Sequence, residues 1–213
     1  MKKERPILFS DPMVRALLAG TKTQTRRVMN PQPVLHGCHW RWHDYTWIQG
    51  KRHPVDVYDL NPELASFGSL YGSLKPCPYG KPGDRLWVRE TFSRHQMGEI
   101  TYRSTYSGRF TPGMIRWIPS IHMPRAESRI TLEVNHVRVE RLHDITEADA
   151  LAEGMAGLMR GTTRWESEAR VLFREVWESI HGAASWEENP WIWRICFRRA
   201  DPGSDTATER ATQ

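Results

Sequence analysis

The chain has 213 residues and carries 30 lysines and arginines against 25 aspartates and glutamates, a formal charge of +5 that suits a nucleic-acid or nucleotide partner without requiring one. Hydrophobic residues make up 39 %, and ten tryptophans supply large apolar rings, so a packed core is available and wholesale disorder is excluded. No apolar run reaches the roughly 18–20 residues of a membrane span, and no secretory-signal pattern is present, so we expect a protein without membrane contact. The three cysteines are scattered, which argues against a disulfide framework and leads us to expect a cytoplasmic protein.

The first predicted element is a helix with Asp11 as its N-cap and Pro12 in its first turn. Gly20 suits its end, because glycine readily adopts a left-handed conformation. The apolar stripe that indicates this helix consists of Met13, Val14, Leu17 and Leu18. A dense polar run, residues 21–27, follows directly.

Residues 30–83 mix prolines, glycines, histidines and aromatics without helical or strand periodicity. This texture predicts a long irregular insertion or ordered loop system rather than a separate domain, within a single domain over residues 5–198. A turn at 80–84 ends the insertion and leads into a strand predicted over 85–92.

A short strand is predicted near 100–106. Residues 129–142 predict either a pair of strands or one bulged strand, because the alternation slips at Asn135 and His136. Thr146 opens a capping box for a short helix that ends at Gly154. A longer helix is predicted over 163–181, with Ile180 in its apolar stripe.

The last predicted element is a half-buried strand over 191–197, and residues 200–213 are expected to form a disordered tail. Several strands with one early and two late helices predict an α+β fold, built as a small β-barrel with peripheral helices.

The polar run holds the main chemical signal. Lys22 and Thr25 share a face if the chain twists as in a helix or turn, and point apart in a strand. A lysine beside a threonine hydroxyl can serve as base and nucleophile when burial or a nearby cation lowers the lysine pKa. Arg26 and Arg27 add charge suited to a phosphate or other oxyanion. The alternative is structural, since cations favour a helix C-terminus and threonines favour strands.

The motif formed by Gly20, Lys22, Thr25 and Arg27 resembles the signature of ASCH domains, which belong to the PUA-like barrel superfamily. The turn at 83–84 before a strand and the segment 144–154, which contains Glu153, resemble the family's next two hallmarks in order. The stretches 119–124 and 185–191 are similar to phage- and prophage-encoded members with long insertions.

The resemblance implies a site in which Lys22 is the activating base, Thr25 the nucleophile and Glu153 the proton shuttle. The small bacterial members with this trio deacetylate N4-acetylcytidine, so the implied substrate is RNA or a modified nucleoside, and no cofactor is expected. Two alternatives stay open: a non-catalytic RNA-binding module, and a ribonuclease that uses the same cleft with a 2′-hydroxyl as nucleophile. Arg85 and Arg89, on the strand after the turn, are further candidates for binding substrate or phosphate.

Two other constellations fall in the insertion. Soft metal ligands cluster at His36, Cys38, His39, His43 and Cys77, but no Cys-x-x-Cys pair is present, so we predict no metal site. Aromatic residues interleave with cations and could stack nucleobases, although we favour packing of the insertion onto the barrel. These residues are Trp40, Arg41, Trp42, Tyr45, Trp47, Lys51 and Arg52.

Overall fold

The computed structural model describes residues 3–36, 39–48, 51–59, 77–95, 98–108, 115–158 and 168–200, with the backbone alone over 34–59. The strands and α-helices of these ranges are β1 (Glu4–Leu8), α1 (Asp11–Leu18), β2 (Gln24–Val28), β3 (Val34–His36), β4 (His39–Ile48), β5 (Lys51–Asp59), β6 (Arg85–Arg89), β7 (Phe92–Arg94), β8 (Ile100–Tyr102), β9 (Thr131–Arg141), α2 (Glu147–Ala152), α3 (Ala169–His181) and β10 (Trp191–Arg199). The mixture of sheet and separate helices is an α+β fold.

A five-stranded sheet forms the centre, with the strands in the order β1-β6-β9-β10-β2. β1 runs parallel to β6, and the other neighbouring pairs are antiparallel. The edge positions therefore belong to β1 and β2, the two strands that flank helix α1 in the sequence.

Helices cover both faces of this sheet, and each face has its own apolar cluster. Val14 and Leu17 of α1 pack with the sheet on one side, and Phe173 and Trp177 of α3 pack on the other. Leu86, Trp87 and Val88 of β6 are buried in succession, as is usual for an interior strand. Ile180 is 66 % exposed, so the predicted apolar stripe of α3 does not extend into the core at this position.

The ends of α1 differ slightly from the prediction. Ser10 rather than Asp11 is the N-cap, and Asp11 is the first helical residue. Gly20 has a φ of +73°, the left-handed conformation expected after the helix. This turn directs the chain from α1 into the polar run.

The break in alternation that the sequence predicts at Asn135 and His136 is confirmed, and it is a bulge within one strand. Cys196 of β10 pairs with His136 of β9, while the next residue, Phe197, pairs with Val134. Asn135 is therefore the extra residue, and β9 is one continuous strand of 11 residues. By contrast, the strand predicted over 85–92 ends at Arg89, and β7 begins at Phe92.

The prediction of an irregular insertion is wrong for residues 34–59. There β3, β4 and β5 form an antiparallel three-stranded sheet. The pairing register shifts between Asp44 and Tyr45, so the period-two alternation changes phase within β4 and is hidden in the sequence. Residues 60–76 lie outside the described ranges.

The capping box at Thr146 is confirmed, since its side chain accepts from the Asp149 amide and the Asp149 carboxylate accepts from the Thr146 amide. α3 is described from Ala169, so the predicted helix start at 163 lies outside the described residues, as do residues 201–213. Within the described ranges, no helix combines the length and apolar character needed to cross a bilayer.

Candidate functional site

The polar run and the end of α2 are joined through their backbones. Lys22 and Glu153 form an isolated antiparallel bridge, and the Thr23 amide donates to the Ala152 carbonyl at 2.9 Å. The Lys22 amide donates back to the Ala16 carbonyl of α1 at 3.2 Å. Lys22 is thus held between two helix ends rather than within a regular strand.

Gly154 permits this close approach. Its φ is +98°, and a Cβ placed there would lie 2.9 Å from Ala16 Cβ and 3.3 Å from Lys22 Cβ. Both the backbone conformation and the lack of space exclude an ordinary side chain. The glycine after α2 is therefore what allows Glu153 to sit against Lys22.

Lys22 and Glu153 form a buried ion pair. Lys22 Nζ donates to the Glu153 carbonyl at 2.7 Å and to Oε2 of its carboxylate at 2.9 Å. The two side chains are 2 % and 4 % exposed. Burial lowers the pKa of Lys22 below its ordinary 10.5; the Glu153 carboxylate opposes this shift, and Arg27 and Arg26 add to it.

Arg26 lies behind this pair and is fully enclosed. Its Nη1 donates to Oε1 of Glu153 at 3.2 Å, and its Nη2 lies 2.7 Å from Oε1 of Glu140 and 3.3 Å from Oδ2 of Asp149. The side chain is 0 % exposed. Contrary to the expectation that Arg26 would meet a substrate phosphate, its guanidinium is engaged with protein carboxylates and closed to solvent.

A further arginine completes this ionic network. Arg194 Nη2 lies 2.6 Å from Asp149 Oδ1, and its Nε donates to the Gln24 side chain at 3.0 Å. Gln24 in turn donates to the Asp149 carbonyl at 2.9 Å. Three carboxylates thus face the three cations Lys22, Arg26 and Arg194, so the charges in this cluster balance.

A cavity of about 110 Å³ opens beside the ion pair. Its polar wall consists of Lys22, Thr25, Arg26, Arg27 and Glu153. The rest of its lining is mainly apolar and comes from the chain before and within α1, from Met155 and from α3: Leu8, Phe9, Ser10, Met13, Met155, Phe173, Val176, Trp177, Ile180 and His181. The structure therefore brings Lys22, Thr25 and Glu153 to one pocket.

Arg27 lies at the same pocket but differs from Arg26. Its Nη2 donates to the Leu8 carbonyl at 2.6 Å, and its guanidinium lies 5.3 Å from the centre of the Phe9 ring. Among the described residues it has no carboxylate partner. Lys22 Nζ also lies 5.3 Å from the Phe9 ring centre, so this ring contacts both cations.

The other two predicted arginines, Arg85 and Arg89, do not line the pocket. Arg89 Nε donates to the Met123 carbonyl at 3.0 Å, and its guanidinium lies 4.8 Å from the centre of the Trp87 ring. The structure therefore separates the β6 arginines from the Lys22 cluster.

Sequence reasoning missed several residues of this site. Asp149 was assigned only to the capping box, yet its carboxylate also contacts Arg26 and Arg194. Glu140 carried no signal, because an alternating charge on a strand is typical of a solvated face. His181 is the last residue of α3 and lines the pocket, and nothing in its sequence neighbourhood indicated this.

Apart from Cys77, whose described side chain is a free, partly buried thiol, the metal and stacking hypotheses concern residues without described side chains. Cys38 lies between described ranges, and only the backbone is described for His36, His39, His43 and the aromatic residues of β4. Among the side chains that are described, no three of histidine, cysteine, aspartate or glutamate are grouped as metal ligands.

Comparisons with protein-family models, with curated proteins and with solved structures return no match for this chain.

Proposed function

We propose that this protein is an ASCH-type, PUA-like hydrolase that removes the acyl group from an N4-acylated cytidine. One observation carries the proposal: the three residues that the ASCH resemblance singles out, Lys22, Thr25 and Glu153, line one pocket, and Lys22 contacts Glu153 directly. Glu153 lies 131 positions after Lys22, and its meeting with Lys22 and Thr25 is what a shared chemical role requires.

The relation between the two edge strands supports a PUA-like barrel. β1 and β2 lie at opposite edges of the sheet, yet Arg27 of β2 donates to the carbonyl of Leu8, the last residue of β1. A side-chain contact between opposite edges favours a sheet that curls. The contact therefore supports the barrel class that we propose for the central sheet.

The first chemical step in the proposed mechanism is activation of Thr25. Glu153 Oε2 is within proton-transfer distance of Lys22 Nζ, so the buried pair can pass one proton from the ammonium to the carboxylate. The neutral amine then accepts the Thr25 hydroxyl proton, and the oxygen attacks the acyl carbon of the substrate. Burial favours transfer of the proton away from Lys22, since it lowers the pKa of Lys22.

The second step releases the products. The protonated Glu153 gives its proton to N4 as the carbon–nitrogen bond breaks, which releases cytidine and leaves the acyl group esterified to Thr25. Water then hydrolyses the ester, and a carboxylic acid departs while the Thr25 hydroxyl is restored. Arg26 fixes Oε1 of Glu153, so Oε2 is the oxygen available to Lys22.

The pocket itself favours a small ligand over an RNA backbone. Its volume of about 110 Å³ is below the roughly 300–1,000 Å³ of drug-sized sites, and its apolar wall suits one flat ring. Lys22 and Arg26 are 2 % and 0 % exposed and bound to carboxylates, so neither is presented to a phosphate chain. A binding-only module or a ribonuclease is supported less well.

The test is release of cytidine from N4-acetylcytidine by the purified protein. We expect turnover in the unaltered protein and in Thr25→Ser, and losses of at least a hundredfold in Lys22→Met and in Thr25→Val, which keeps the shape of threonine but lacks the hydroxyl. Arg198→Gln, a change at a 67 % exposed side chain outside the pocket, is the control. No turnover, or equal rates in Thr25→Ser and Thr25→Val, would overturn the proposal.

A further inference from the structure

One cation of the pocket, Arg27, forms no ion pair with a described carboxylate, although the charge of Glu153 acts on it from a distance. Lys22 and Arg26 are both paired with acidic side chains. Arg27 instead donates to the Leu8 carbonyl, and its buried Nε has no hydrogen-bond partner in the described part of the chain. A partly desolvated guanidinium that forms no ion pair and has an unsatisfied Nε favours an anionic ligand.

Exposure shows how a ligand would lie in the pocket. Lys22, Thr25 and Glu153 are at most 4 % exposed and form its floor. Leu8 and Ile180, at 43 % and 66 % exposed, mark its mouth. Arg27 is half-buried, between these two levels. A ligand whose reactive amide reaches the floor therefore carries the rest of its structure past Arg27.

The mouth also contains a histidine close to this arginine. His181 lines the pocket, and its ring lies 4.3 Å from that of Trp177, measured between ring centres. Arg27 and His181 line the same pocket. Partial burial lowers the pKa of His181, and the positive charge of Arg27 lowers it further. An anion bound at Arg27 would therefore share the pocket with His181 and offset this effect of Arg27.

We propose that the substrate is a nucleoside monophosphate, and that Arg27 binds the phosphate on its ribose while the acylated base reaches the floor. This inference rests on the proposed function and names its substrate class. A single unpaired cation at a mouth flanked by apolar Leu8 and Ile180 matches one phosphate. An RNA strand would need a row of cations, which the pocket lining does not supply.

The direct test is calorimetric binding of cytidine, cytidine 5′-monophosphate and cytidine 3′-monophosphate. We expect at least one monophosphate to bind tenfold or more tightly than cytidine, since hydrogen bonds to charged groups are strong. The advantage should disappear in Arg27→Gln and persist in Arg198→Gln, which removes the same charge from an exposed position. Equal affinities for cytidine and both monophosphates, absence of binding, or an unchanged advantage in Arg27→Gln would overturn the inference.

A short single-stranded RNA distinguishes the two sources of phosphate. For one phosphate contact, the logarithm of the binding constant should fall with the logarithm of salt concentration with a slope of about −0.7. An RNA that binds more tightly than the monophosphates, with a slope several times steeper, would overturn the inference in favour of an RNA surface.

A measurement on the unaltered protein covers the case in which Arg27→Gln does not fold. The imidazole resonance of His181, assigned by comparison with His181→Gln, is titrated with and without ligand. The pKa of His181 should rise in the presence of a monophosphate and stay constant with cytidine. No change with either monophosphate would contradict binding beside Arg27.

Turnover separates this inference from the function on which it rests. If N4-acetylcytidine and its monophosphates are all left intact, the proposed hydrolase function fails, while the binding experiments still decide the phosphate site. If the nucleoside and its monophosphates are hydrolysed with equal kcat/KM, the function stands and the inference fails.

Discussion

Lys22 and Glu153, separated by 131 positions in the chain, are joined twice: the lysine ammonium donates both to the backbone carbonyl and to the carboxylate of the glutamate. The pair is asymmetric, because Glu153 also contacts Arg26, whereas Glu153 is the only carboxylate in ion-pair contact with Lys22 among the described residues. Removing Glu153 should therefore lower the free energy of unfolding by a different amount from removing Lys22.

The first prediction follows from that asymmetry. In Glu153→Gln, the buried Lys22 loses its only described counter-charge, and we expect a loss of about 3–5 kcal/mol in the free energy of unfolding. In Lys22→Met, Glu153 keeps Arg26 and an apolar chain of similar length fills the space, so the loss should be clearly smaller. Urea unfolding of both variants measures the difference, and equal losses would contradict it.

The second prediction concerns the glycine after α2. Gly154→Ala introduces a Cβ 2.9 Å from Ala16 Cβ at a φ of +98°, so we expect a loss of about 2 kcal/mol. Gly157→Ala is the matched control, because no atom lies within 4 Å of its added Cβ and its φ is not positive. That control should change the free energy of unfolding by less than about 1 kcal/mol. A Gly154→Ala variant as stable as the control would argue against the close packing of α1 on this turn.

The third prediction is a pH dependence of stability from Asp84, whose side chain is 6 % exposed. Burial alone would raise the pKa of Asp84, but bonds from the Lys3 amide, the Arg5 guanidinium and the Lys81 amide outweigh it and lower the pKa from 3.8 to about 2. The carboxylate therefore stabilises the fold above pH 4, and this contribution is lost as the pH falls through 2.

Asp84→Asn should accordingly reduce stability at neutral pH by about 2 kcal/mol and flatten the fall in stability between pH 4 and pH 2. Glu187→Gln, at a 68 % exposed side chain, is the control and should leave the curve unchanged. Urea unfolding over this pH range is the measurement. A curve for Asp84→Asn parallel to that of the unaltered protein would show that Asp84 is not the group responsible.

The fourth prediction concerns the pH profile of the proposed hydrolysis. The mechanism needs the one proton that Lys22 and Glu153 share, so kcat/KM for N4-acetylcytidine should fall as the pH rises through an apparent pKa below 10.5, since burial lowers the pKa of Lys22. Arg27 lowers the pKa of Lys22 further, so in Arg27→Gln the change in kcat/KM should occur at higher pH. A limb at the same position in both proteins would argue that Lys22 does not set the rate.

Local signals in the sequence predicted the local structure well. The φ of Gly20, the capping box at Thr146 and the bulge at Asn135 each depend on a few neighbouring residues, and each is found where expected. The motif also indicated Lys22 and Thr25, although it left their relative orientation open.

Long-range pairing accounts for what was missed. Glu140 and Arg194 look like ordinary alternating charges on their strands, and only the antiparallel pairing of β9 with β10 and β10 with β2 brings them to Arg26. The sheet of β3–β5 was hidden because its register shift broke the period on which strand prediction depends. Neither feature can be read from one segment alone.

The position of β2 has a consequence for the order of folding. The strand that carries Thr25, Arg26 and Arg27 joins the sheet through β10, which is the last of the described strands to be synthesised. Until Trp191–Arg199 has left the ribosome, β2 has no strand neighbour in this sheet, and the pocket cannot close. Assembly of the site is therefore among the final events of folding, even though three of its polar residues are made in the first eighth of the chain.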